Sequence, residues 1–277
     1  MNKTVLITGA SSGIGKATAR CFSENGWNVI ATMRQPGKEQ ELRELNNVFI
    51  TELDVQKSET ITSAIARGIE QFEKIDVLVN NAGYGEFGLF EAASDGQVRT
   101  QFEVNVFGVM DTIRTLLPHF RARKNGMIIN VSSGAGRFTL PMISLYAASK
   151  FALEGFSEAL SYELSALNII VKIIEPGGTA TNFSKVSSER LSQKRSLKEY
   201  DAFVTAAAKM FEGLRDIQLA TAEEIATTIY IAATDGTDTL RYVVGNKDFV
   251  RRMNERLKMP DQQYVQSVRN SYWKFMQ

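Results

Sequence analysis

The chain has 277 residues, 44% of them hydrophobic and 23% charged, enough apolar material to bury the core of one α/β domain spanning residues 1–277. Its 32 basic and 31 acidic residues leave a formal charge of +1, which argues against nucleic acid or an anionic membrane surface as a partner. Cys21 and His119 are single examples of their types, so neither an internal disulfide nor a cysteine or histidine metal site is expected. Cys21 is read as structural and His119 as a solvated or capping imidazole at a helix end.

The opening residues form too short an apolar run for a secretory leader and read as a first strand, Thr4 to Ile7. No run approaches the ~18 apolar residues of a membrane span, and the cytoplasm is the expected location. The strand ends in Thr8-Gly9-Ala10-Ser11-Ser12-Gly13-Ile14-Gly15 and leads into a helix over Lys16 to Phe22. Gly9 permits a tight turn, Gly13 lets the backbone approach a pyrophosphate, and Gly15 allows close helix packing, while the helix N-terminus offers unpaired N–H groups to the anion. The alternative is an ordinary strand-to-helix turn, and the position on the first strand, opening a helix and followed by a second strand, is what gives the triplet weight.

A second strand, Asn28 to Thr32, ends at Met33-Arg34. A dinucleotide with a free ribose 2′-hydroxyl is usually met there by a carboxylate, and there is none; Arg34, with Lys38 nearby, suits the 2′-phosphate of NADP(H) over NAD. The alternative is a solvated loop arginine. After a third strand, Val48 to Thr51, Asp54 is placed to accept from the adenine amino group, with Val55 beside it.

Strands over Val77 to Val79, Met127 to Val131 and Ile169 to Ile174 follow, with amphipathic stretches between. Apolar runs separated by helices predict a doubly wound parallel sheet of Rossmann type, covered on both faces, with ligand at the carboxyl ends of its strands. Among eight tyrosines only Tyr146 has a lysine four positions later, Lys150, which puts phenol and ammonium on one helix face. A free phenol titrates near ~10 and is a poor acid or base until a cation favours its phenolate. Lys150 supplies that cation and three donors for ribose hydroxyls, and the Ser133 hydroxyl is placed to stabilise a developing oxyanion.

Residues Thr8 to Gly15, Asn80-Asn81-Ala82-Gly83, Asn105, Ser133, Tyr146, Lys150 and Pro176-Gly177 together resemble the short-chain dehydrogenase/reductase family over roughly residues 3 to 181. The resemblance selects Ser133 over Ser132 by its spacing from Tyr146, and implies that Asn105 holds a water linking Lys150 to solvent. It places Asn81, Ala82 and Gly83 on the adenosine side, and Pro176, Gly177, Thr179 and Thr181 at the nicotinamide and its phosphate. Ala31 to Arg34 and Gly136-Arg137-Phe138 look like the branch with hydroxysteroid and retinol dehydrogenase-like enzymes. The implied activity is interconversion of a small-molecule ketone or aldehyde with its alcohol, and the implied state a homo-oligomer, dimer or tetramer. Tyr84, Phe87, Phe138, Met142 and Phe183 are candidates for an apolar substrate pocket, each equally readable as core.

Two alternatives belong to other classes. A non-catalytic NADP-binding sensor would not need the Tyr146–Lys150 pair, and a sugar-nucleotide epimerase would need a larger C-terminal domain. A polar stretch with scattered aromatics, about 179–219, reads either as a substrate flap or as surface helices. The C-terminal extension, about 248–277, is open between packing back on the core, covering the substrate mouth and joining a subunit contact.

Overall fold

The computed structural model describes residues 2–179, 197–212 and 219–276. Seven strands form one parallel sheet: β1 (Thr4–Ile7), β2 (Asn28–Met33), β3 (Val48–Glu52), β4 (Val77–Asn80), β5 (Gly126–Val131), β6 (Ile169–Pro176) and β7 (Arg241–Val244). Their order is β3-β2-β1-β4-β5-β6-β7. The chain reverses its winding between β1 and β4, so the carboxyl ends of those two strands open the crevice where such sheets bind ligands.

Alternation along each strand feeds two cores. Val5 and Ile7 face α1 (Gly13–Glu24) and a late helix, Ala222–Thr234, with Phe22, Ile225 and Ile229, whereas Leu6 faces the opposite layer with Ile61, Leu116 and Leu153. That second layer consists of α2 (Ser58–Phe72), α4 (Gly108–Arg123) and α5 (Ser144–Ser165), with α3 (Asp95–Phe102) before α4. A π-helical turn, Glu103–Phe107, joins α3 to α4.

The reading of His119 changes. The helix bearing His119 does not end there: α4 runs through Pro118 to Arg123. The His119 imidazole is half-buried and accepts from the Ile75 N–H at 3.2 Å, and burial pushes it below its ordinary value. It therefore serves the loop before β4, as a neutral acceptor. Within the stretch read either as a flap or as surface helices, α6 (Asp201–Glu212) lays Phe203 edge-on to Tyr272 and buries Met210. Its described part thus packs on the tail, leaving α7 (Ala222–Thr234) to return to the sheet.

The extension itself packs back as α8 (Lys247–Lys258) and α9 (Asp261–Trp273). Met253 and Tyr264 join Phe138 in a separate apolar cluster edged by Phe249, and the Tyr264 hydroxyl donates to the Thr139 carbonyl oxygen at 2.7 Å. No helix among the described residues is long and apolar enough to cross a membrane.

Candidate functional site

The glycine turn after β1 is built as its sequence requires. Gly9 and Gly13 have φ of 69° and 53°, a region that favours glycine. At Gly15 a Cβ would stand 2.3 Å from the Gly9 carbonyl oxygen and 2.4 Å from Asn81 Nδ2, so neither side chain nor substitute fits. Asn81 Nδ2 donates to the carbonyl oxygens of Thr8 and Gly9, and the Thr8 hydroxyl accepts from the backbone N–H groups of Asn81 and Ala82. Asn81 and Ala82 thus brace the turn from the end of β4. Thr8 is a missed participant, quoted in the motif yet given no task; the signal was a hydroxyl at the last position before the turn.

Ser12 precedes α1 and makes no capping bond with its side chain, and Ser11 and Ser12 are both exposed. The donors at the start of α1 are therefore presented toward the sheet's carboxyl edge, a set that fits a pyrophosphate. Arg34, directly after β2, is exposed and has no ion-pair partner among the described residues; Lys38 is exposed as well. Asp54 is half-buried and accepts from the Gln56 N–H, while Val55 is buried against Gly108.

The end of β5 delivers Ser133, whose hydroxyl accepts from Ala135 N–H at 3.1 Å and caps a short turn over Gly134–Gly136. The first turns of α5 deliver Tyr146 and Lys150. The phenol is hydrogen-bonded to Ser133, and Lys150 Nζ lies 5.9 Å from the centre of the tyrosine ring. Asn105 sits in the π-helical turn, a distortion often found at functional sites. Its side chain pairs with the Tyr84 backbone in both directions (2.9 and 3.1 Å) and donates to Ser149 Oγ at 3.1 Å; Ser149 in turn donates to the Tyr146 carbonyl oxygen. Asn105 is thereby connected to the Tyr146 backbone through Ser149.

The electrostatics differ from the expectation for the phenol. Lys150 Nζ donates to the Val131 carbonyl oxygen at 2.9 Å rather than to Tyr146. Burial then dominates both groups: it pushes the Tyr146 phenol up to about 12, against the Ser133 hydrogen bond, and the Lys150 ammonium down to about 8, against the favourable charge of Glu154. In this arrangement burial keeps the proton on Tyr146 and draws the Lys150 ammonium down to about 8.

Beside the phenol, Phe87 stands edge-on to Tyr146 with ring centroids 5.6 Å apart, in a cluster with Ala135, Ile143 and Leu140. Met142 has φ of 65°, unusual for a residue with a side chain, and its carbonyl oxygen accepts from Gly88 N–H at 2.6 Å. Gly83 lies against Asn105 Oδ1. Phe138 is buried in the cluster formed with the tail. Pro176 closes β6, and Thr179 Oγ1 donates to the Gly177 carbonyl oxygen at 3.1 Å. Thr181 and Phe183 lie outside the described residues.

A residue that no sequence signal marked is Phe249. Cβ atoms built on Gly134, Gly177 and Gly245 would come within 2.4, 2.7 and 2.5 Å of its ring. The ring is therefore seated on the chain just beyond β5, β6 and β7 at once.

Comparison with known proteins agrees with this geometry. The family model described as short chain dehydrogenase matches residues 3–192. An oxidoreductase of Schizosaccharomyces pombe is 39% identical over 240 residues, covering 86% of this chain and 98% of that protein. Retinol dehydrogenase 8 of Bos taurus is 32% identical over 265 residues, covering 92% and 82%. The crystal structure of a short-chain dehydrogenase from Streptomyces avermitilis superposes with a TM-score of 0.81 at 30% identity, covering 99% and 97%. Other solved neighbours hold NAD or NADP. Taken with the parallel sheet and its glycine turn, these matches show that the chain belongs to the short-chain dehydrogenase/reductase family of oxidoreductases.

Proposed function

We propose that the protein is an NADP(H)-dependent oxidoreductase that interconverts a ketone or aldehyde with its alcohol, on a small apolar substrate. The observation that carries the reading is the buried Tyr146 phenol hydrogen-bonded to Ser133, with Lys150 one helical turn away. When bound, NADPH supplies the hydride. A phenol held protonated is suited to give its proton to the carbonyl oxygen, with the Ser133 hydroxyl steadying the charge that develops there. Lys150 then serves as the cation that makes the phenol's proton loss affordable, and Asn105 fixes the α5 backbone through Ser149. Phe87, packed on the tyrosine ring, supports an apolar substrate; the retinol dehydrogenase relative points the same way.

The first test is oxidation of NADPH, and separately NADH, with a panel of small, aromatic and polycyclic ketones and aldehydes. Turnover with apolar members supports the reading, and tight NADPH binding with no turnover across the panel would overturn it. The preference for the phosphate rests on Arg34, exposed at the end of β2 and without an ion-pair partner among the described residues. Arg34→Asp removes a charge-assisted contact and adds a repulsive charge, so the ratio of NADPH to NADH affinity should fall by about 10–100-fold. A ratio that does not move in a fluorescence titration assigns the preference elsewhere.

A further inference from the structure

Behind Lys150 lies a cluster of charge for which the proposed reaction has no use. Glu154, one turn further along α5, and Glu175 on β6 are almost completely buried, at 5% and 2% exposure. Arg241 from β7 donates through Nε to Glu154 Oε2 at 3.0 Å and stands 3.4 Å from Glu175 Oε1, with its Nη2 on Glu158 of α5. Arg137, on the turn that Ser133 caps, stands 3.6 Å from Glu175 and 4.0 Å from Glu154. The carboxyls of Glu154 and Glu175 are themselves within hydrogen-bond reach.

Two ionised carboxylates have no hydrogen between them, and drawn that way Oε1 of each is buried without a hydrogen bond, that of Glu175 being held only by its ion pairs with Arg137 and Arg241. A buried oxygen without a hydrogen bond is costly. One proton on the pair makes one carboxyl a donor and the other an acceptor. It also balances the cluster: with it Glu154, Glu175 and Glu158 carry two negative charges between them, against the guanidiniums of Arg137 and Arg241. Without it the cluster carries one excess negative charge, next to Lys150. Lys172, also on β6, belongs to a separate pair with Asp235 at 2.7 Å.

We propose that Glu154 and Glu175 share one proton and act as a positioning pair for Lys150, giving that proton to water as pH rises so that the ammonium keeps its charge. The step is a deprotonation alone: a carboxyl–carboxylate pair becomes two carboxylates and a released proton. Burial, together with the charge of Glu154, pushes the Glu175 carboxyl up to about 7, in the range where Lys150 titrates, and the charge of Glu154 already raises Lys150 against its burial. The pair also lies under the Ser133 turn, since a Cβ on Gly136 would meet Glu154 Cγ at 2.8 Å and Ser132 Oγ at 2.9 Å. What the pair is for rests on the proposed role of Lys150; that it shares a proton does not.

The test uses the purified full chain and needs no turnover. Infrared difference spectra taken across neutral pH should show a protonated-carboxyl band that disappears as pH rises and is missing from both Glu175→Gln and Glu154→Gln. Carbon-13 spectra of lysine-labelled protein, with Lys150 assigned by its loss in Lys150→Met, should show the Lys150 midpoint lowered by about one pH unit in Glu175→Gln, where the amide can mimic only the protonated partner. Wild-type protein without such a band, or a Lys150 midpoint that Glu175→Gln leaves in place, overturns the proposal; the first of these needs no variant to fold. Silence in the carbonyl panel would instead count against the reductase reading and leave both spectra as they stand.

Discussion

Tyr146→Phe should lower kcat/KM for carbonyl reduction by about 10²–10⁴-fold, the ordinary contribution of a positioned acid, while NADPH affinity changes by less than about threefold. The separation follows from what the substitution removes. The ring keeps its edge-on contact with Phe87 and its place among Ala135, Ile143 and Ala147, so the wall of the site survives. Only the hydroxyl, with its bond to Ser133, is lost. The Ser133 hydroxyl left behind is half-buried and keeps its bond from Ala135 N–H, so folding should lose no more than about 1 kcal/mol, which thermal unfolding checks. Steady-state rates beside a cofactor titration are the measurement, and a variant that turned over at the wild-type rate would mean that another group delivers the proton.

Gly15→Ala should abolish cofactor binding at ordinary concentrations and destabilise the chain by about 1–3 kcal/mol. The new methyl group would lie 2.3 Å from the Gly9 carbonyl oxygen and 2.4 Å from Asn81 Nδ2, and the first of these is backbone that cannot rotate aside. Relief requires the turn to open, which breaks the bonds from Asn81 to Thr8 and Gly9 and moves the donors at the start of α1. Gly37→Ala is the matched control. It lies near the same edge, has nothing within 4 Å of its Cβ, and should change stability by less than about 0.5 kcal/mol. Urea unfolding and cofactor titration of the two variants separate a clash from a general intolerance of alanine; equal behaviour would refute the account of the turn.

The central strands were legible because each is a short run covered on both faces: β1 reads Thr-Val-Leu-Ile and β4 Val-Leu-Val-Asn, with every residue buried. The glycine turn and the Tyr146–Lys150 pair were legible because their chemistry is local, within one turn of chain. The Glu154–Glu175 pair was hidden for the opposite reason. Glu154 reads as a solvated charge on a helix, and only the packing of α5 against β6, with guanidiniums arriving from two other segments, makes it a buried partner. Phe249 is separated from Gly134 by more than a hundred residues, and the unusual feature lies in the glycines, which lack a side chain to read. The helix end expected at His119 was misplaced, since α4 continues through Pro118 to Arg123.

The seat of Phe249 carries a consequence for how this site varies among relatives. An aromatic ring pressed on Gly134, Gly177 and Gly245 makes four positions on three separate segments interdependent. A side chain gained at any of the three glycines is compatible only with a smaller residue at 249, and a smaller residue there leaves a void beside the serine turn. Changes at these positions are therefore epistatic. Chimeras that graft the tail of one relative onto the sheet of another should lose function unless all four positions travel together, so the extension and the catalytic face are one heritable unit.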